Sequence, residues 1–112
     1  MDITSLTVHE LMDKLEKNEI NSKKIVEAYV NRINEKEKDV QAFVTTLCDD
    51  AIGRAIEIDD GSKDSSNIPG IPIGIKDNIC TKGIKTTCSS RMLENFISPY
   101  NATVVEKLDK AG

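Results

Sequence analysis

Apolar residues recur at helical spacing in the first third of this chain. Val8, Leu11, Met12 and Leu15 fall at the i, i+3, i+4, i+7 positions of an amphipathic helix. Thr7 and Glu10 frame its start as a capping box, in which each side chain bonds the other residue's backbone N–H. After the polar break Asn18 to Asn21, Ser22 is placed to cap a second helix with the apolar face Ile25, Val26, Tyr29, Val30 and Ile33. The polar run NEKEKD is expected to end it. His9 reads as a first-turn surface residue.

The period then changes. VQAFVTTL, residues 40 to 47, is rich in β-branched and aromatic side chains and short enough for a strand. A third helix follows, with Ala51, Ile52, Ala55 and Ile56 on one face. Residues 59 to 67, DDGSKDSSN, are turn formers and charges, hence a surface loop. The run GIPIGIK, residues 70 to 76, reads as a strand with Ile71, Ile73 and Ile75 on a core face and Pro72, Gly74 and Lys76 opposite. At the end, Asn101 is a candidate N-cap, Tyr100 and Val105 a hydrophobic staple, and Val104, Val105, Leu108 and Ala111 a buried stripe. Gly112 stands where a helix-ending glycine belongs. This order of elements predicts an α/β protein, a mixed sheet flanked by helices. Two or three strands cannot cover so many apolar helix faces, so the sheet is expected to be incomplete.

Composition narrows the function classes. The chain has 112 residues, 38% of them hydrophobic and 30% charged, enough for one small domain with a modest core. A net charge of −4 with interspersed cations argues against a nucleic-acid-binding face. No stretch approaches the roughly 20 apolar residues of a membrane span, and no signal peptide opens the chain, so a cytoplasmic protein is expected. Cys48, Cys80 and Cys88 are expected to be reduced thiols. Without a CxxC pair and with one histidine, no metal site is expected.

Lys76 carries the candidate chemistry. Gly74, two residues earlier on the same strand face, leaves room for a backbone or ligand to approach. Two readings stand side by side. In one, the lysine snorkels to water or pairs with Asp77. In the other it is partly desolvated, which disfavours the ammonium form and frees a lone pair for base catalysis.

The run from Gly70 to Gly112 resembles the opening of the amidase signature family. The matching pieces are Gly70-Ile71-Pro72, Lys76-Asp77-Asn78, Thr81-Lys82-Gly83, Thr86-Thr87, Met92-Leu93-Glu94-Asn95-Phe96 and Pro99-Tyr100-Asn101-Ala102-Thr103-Val104-Val105. Within that family it looks most like the amide-hydrolysing subunit of the tRNA-dependent amidotransferases. The resemblance implies that residues 1–112 are the N-terminal part of one amidase domain, the rest being absent. It also implies a Ser–cis-Ser–Lys triad in which Lys76 matches the catalytic lysine: the neutral amine withdraws a proton from a bridging serine, which activates the nucleophilic serine.

The resemblance further implies glutamine as the amide substrate and subunits B and C as partners in a heterotrimer. The tRNA would be bound through one of those partners, and glutamate on it converted to glutamine. ATP would be used by the whole complex, with no cofactor in this chain. Both family serines lie beyond Gly112. Thr86, Thr87, Ser89 and Ser90 have no flanking glycines to shape an oxyanion pocket and read as turn and cap hydroxyls. The chain is therefore expected to be inactive alone. The other readings left open are a piece of another amidase-signature hydrolase and a non-catalytic binding remnant.

Overall fold

The computed structural model describes residues 1–62 and 67–112. The loop expected at 59–67 therefore lies partly outside the described residues. Among the described residues four helices form: α1 (Val8–Glu16), α2 (Ser22–Val40), α3 (Cys48–Asp59) and α4 (Thr103–Ala111), with single 3-10 turns at Ile3–Ser5 and Arg91–Leu93. Two compact units result. The first comprises Met1–Pro72 with Ala111–Gly112, and the second comprises Ile73–Lys110.

In the first unit the capping box forms as the sequence indicates. The Glu10 amide donates to Thr7 Oγ1 at 3.3 Å, and the Thr7 amide donates to the Glu10 carboxylate at 2.8 Å. Asn21, not Ser22, caps α2, accepting from the Lys24 amide at 2.9 Å. Ser22 has another task. It is buried, its hydroxyl donates to the Pro69 carbonyl at 3.1 Å, and the Ser22 and Lys23 amides both donate to the Asp59 carboxylate at 2.8 Å. The core is Leu11, Ile20 and Ile25, with Ile3, Leu6, Leu15, Tyr29 and Ile71 packed against it. Val26 and Ala55 are also buried, and α2 packs on α3. Each fully buried Leu or Ile stabilises by about 1.5–3 kcal/mol.

The expected mixed sheet does not form: among the described residues there is no strand, only an isolated antiparallel bridge between Lys85 and Ile97. The α/β assignment is corrected to a helical one. A strand is stable only when a neighbour takes its backbone hydrogen bonds, and neither expected strand has one here. At 40–47 the polar run NEKEKD does not stop α2. Glu and Lys are strong helix formers, so the helix continues to Val40 and stops at Gln41, in the left-handed region at φ 51. Val40, Phe43, Val44 and Leu47 are left exposed. At 71–75, Ile71 joins the first unit's core, while Ile73 and Ile75 lie 48% and 41% exposed on backbone without regular secondary structure.

The second unit is organised by polar bonds rather than by apolar burial. The Gly83 amide donates to the Ser98 carbonyl at 2.8 Å, Thr86 to Phe96 at 3.1 Å and Ser98 to Ile84 at 3.2 Å. Asn101 does not cap α4. Its side chain accepts from the Lys82 amide at 2.7 Å, and the α4 amides of Val105 and Glu106 bond instead to the Ala102 carbonyl. Of the expected α4 stripe, only Val105 is buried. Gly112 follows the helix at φ 101, a conformation glycine adopts without strain.

Candidate functional site

Lys76 lies near the start of the second unit, just before a turn, and it is exposed. Among the described residues its ammonium makes no hydrogen bond and no ion pair, Asp77 included. The desolvation that base catalysis calls for is not supplied by the described residues. Gly74 is exposed as well, so the lysine's approach is open to solvent.

What fixes the backbone beside Lys76 is Asp77. The chain turns at once, with the Ile79 amide donating to the Lys76 carbonyl at 3.0 Å. The Asp77 carboxylate accepts a hydrogen bond from the Thr87 hydroxyl and another from the Thr87 amide at 2.9 Å. The Asp77 carbonyl accepts from the Cys88 amide at 3.0 Å. These bonds clamp a turn in which two successive non-glycine residues, Cys88 and Ser89, sit in the left-handed region at φ 50 and 57. Such a conformation costs roughly 1–2 kcal/mol per residue. Thr86 and Thr87 are buried behind the turn, and Thr86 Oγ1 is a buried hydroxyl oxygen without a partner. Ser90 caps the short turn at Arg91–Leu93, accepting from the Met92 amide at 3.2 Å. Thr87 and Ser90 thus act as the turn and cap hydroxyls expected of them.

The donors from Thr87, its hydroxyl first and its amide second, hold the Asp77 carboxyl below the usual carboxylate range. A carboxylate whose pKa is lower in the folded state contributes stability above its unfolded pKa, and loses it as pH falls through the lowered value. In an acid titration followed by NMR, the Thr87 amide resonance is expected to shift with a midpoint below the ordinary aspartate value. In Asp77→Asn that titration disappears. A midpoint at or above the ordinary value would show that the clamp is not formed.

Two other features stand apart from the lysine. All three cysteines are free thiols, and Cys80 lies 3.7 Å from the Tyr100 hydroxyl, a contact that raises the tyrosine pKa. In the first unit an open recess of about 240 Å³ is lined by Asp2, Arg32 and Glu35 among others. None of the site residues expected from the sequence lines it. Among the described residues no helix is long and apolar enough to cross a membrane.

Known proteins share this region. The family model described as Amidase matches residues 24–112. The chain belongs to the amidase family. It is similar to the A subunit of the glutamyl-tRNA(Gln) amidotransferase of Thermoanaerobacter pseudethanolicus, with 50% identity over 100% of this chain and 23% of the relative. The same subunit of Caldanaerobacter subterraneus subsp. tengcongensis is 48% identical over the same shares, and that of Halothermothrix orenii is 44% identical over 100% of this chain and 22% of the relative. The match is to an N-terminal portion of such subunits, and the chain spans less than a quarter of their length.

Within this amidase chain, the structure brings Lys76 next to the Asp77–Thr87 clamp but brings no other expected catalytic group to the lysine. Sequence reasoning treats Asp77 only as an ion-pair partner and so misses the clamp. Its members are ten residues apart, beyond the reach of local periodicity. The one available signal is the density of short hydroxyl side chains in TTCSS, which favour local backbone bonds.

Proposed function

We propose that this chain serves as the base-bearing N-terminal portion of a glutamine-hydrolysing amidase subunit, with Lys76 as the base of a Ser–cis-Ser–Lys triad. The observation that carries the reading is identity of 44 to 50% across the whole chain with relatives named as the A subunit of glutamyl-tRNA(Gln) amidotransferase, Lys76 lying inside the matched region. The position of Lys76 supports it: among the described residues the ammonium is committed to no structural bond, while the backbone on its C-terminal side is fixed by Asp77. Both serines come from polypeptide outside this chain. The amine, unprotonated, takes a proton from the bridging serine, and the nucleophile attacks the glutamine carboxamide to give an acyl-enzyme and ammonia. Water then releases glutamate. Subunits B and C carry the ammonia to glutamate on tRNA, with ATP consumed by the complex.

The test is a chimera in which these 112 residues replace the matched portion of the Thermoanaerobacter pseudethanolicus protein, assembled with that organism's other subunits. Release of ammonia from glutamine is expected. A folded, assembled chimera that hydrolyses no glutamine would overturn the reading.

A further inference from the structure

Among the described residues, the positive-φ positions that are not glycine are Asn18, Gln41, Cys88 and Ser89. Asn18 and Gln41 follow the ends of α1 and α2, where a helix commonly turns left-handed. Cys88 and Ser89 are different. They are consecutive, at φ 50 and 57, and neither follows a helix. Residues with a Cβ stay in that region only where surrounding bonds over-determine it, and such places cluster at functional sites.

The bonds that hold this turn lead to the residue next to Lys76. The Thr87 amide donates to Asp77 Oδ1 at 2.9 Å and the Thr87 hydroxyl to Asp77 Oδ2, so each carboxylate oxygen has its own donor. Thr87 Oγ1 in turn accepts from the Ser89 amide at 3.3 Å. The Cys88 amide donates to the Asp77 carbonyl and the Ile79 amide to the Lys76 carbonyl, both at 3.0 Å. The carbonyls of residues 76 and 77 and the Asp77 carboxylate are thus all engaged. The lysine ammonium engages nothing among the described residues. A lysine's flexible stem takes its origin from the backbone, and a misplacement of about 1 Å at a reacting group can cost about 100-fold in rate.

We propose that Asp77 and Thr87 are positioning residues for Lys76. Their clamp holds the strained Cys88–Ser89 turn against the Asp77 backbone, and so sets where the lysine's Cα stands when its amine takes a proton. This rests on the reading of Lys76 as the base, and adds to it a role for two side chains that make no bond to the ammonium. The carboxylate matters as an acceptor-only group with two oxygens. A carboxamide in its place has one acceptor oxygen and cannot take both Thr87 donors in the same way.

The test is steady-state glutamine hydrolysis by the chimera, with kcat and KM measured separately and the folded fraction of each variant followed by circular dichroism. Asp77→Asn and Thr87→Val should each lower kcat by about 10- to 100-fold, with KM within about twofold of the parent. Thr87→Ser keeps both donors and should stay within about threefold in kcat. Adding Cys88→Gly and Ser89→Gly to Thr87→Val should recover at least about threefold, because glycine takes the left-handed region without strain and the turn then needs fewer bonds. Where Thr87→Val alone does not fold, this triple variant and Asp77→Asn carry the comparison. Activity per folded molecule that stays at the parent level in Asp77→Asn and Thr87→Val overturns the proposal, as do glycines that restore nothing. A loss in Asp77→Asn with none in Thr87→Val overturns it too, since the carboxylate would then act by its charge and not through the turn. An inactive parent chimera, or normal turnover in Lys76→Ala, brings down the reading of the lysine and this inference with it. An active parent with inactive Lys76→Ala and normal clamp variants brings down the positioning role alone.

Discussion

Replacing Lys76 with alanine in the chimera is expected to reduce glutamine hydrolysis by about 10²- to 10⁴-fold, the range that a positioned general base contributes, while leaving stability unchanged. The two halves of this result rest on different observations. The loss of activity follows from the proposed proton transfer, for which no neighbouring side chain offers a substitute. Asp77 is already committed to Thr87. The unchanged stability follows from exposure and from the ammonium's lack of a bond among the described residues, since surface substitutions of this kind stay within about 0.5 kcal/mol. Lys76→Arg should be as inactive as alanine, because the guanidinium keeps the charge but does not give up its proton. Lys82→Ala, another exposed lysine of the same unit, should retain activity. Near-normal turnover in Lys76→Ala would remove the residue from the mechanism. A drop in melting temperature matching the drop in activity would reassign it to structure.

How far the sequence discloses this arrangement depends on the range of the forces involved. Helix termini are local, and the pairing of Thr7 with Glu10 and the turn to positive φ at Gly112 are readable from residue type and spacing. Caps fail as signals where a side chain has a competing long-range partner. Ser22 is drawn to Pro69 and Asn101 to the Lys82 amide, so Asn21 caps α2 and α4 begins beyond Asn101, at Thr103. Strands fail more completely. Alternation in GIPIGIK shows a segment suited to a strand, but ladder bonds need a partner that the pattern of one segment cannot name. The exposure of Ile73 and Ile75 is the structural counterpart of that missing information. The same holds for Lys76: residue type and family likeness pick it out, while its exposure depends on packing that the pattern of one segment does not encode.

The second large effect concerns Gly70, where the sequence shows only a glycine after Pro69 and before Ile71-Pro72, at the start of the expected strand. Its backbone lies at φ 67, and a Cβ built there would come within 2.1 Å of Ser22 Oγ and 2.3 Å of Ser22 Cβ. Rotating the serine removes the first overlap but not the second, because Cβ is fixed to the α2 backbone. Gly70→Ala must therefore displace the first turn of α2, where Ser22 is buried and where the Ser22 and Lys23 amides bond Asp59. Left-handed strain of about 1–2 kcal/mol and overpacking of about 1–3 kcal/mol together predict a loss of roughly 2–5 kcal/mol. That is a large fraction of the stability of a small domain, and it should appear as a lowered denaturation midpoint. Gly53→Ala is the matched control. Gly53 lies within α3 with nothing inside 4 Å of its Cβ position, so alanine there should stabilise by about 0.5–1 kcal/mol. The steric part has its own check in the double variant Ser22→Gly with Gly70→Ala, since removing the serine side chain removes both short contacts. If the close approach is the cause, the second substitution costs much less in the Ser22→Gly background than in the parent chain. Strictly additive losses would instead assign the whole effect to the backbone conformation at residue 70.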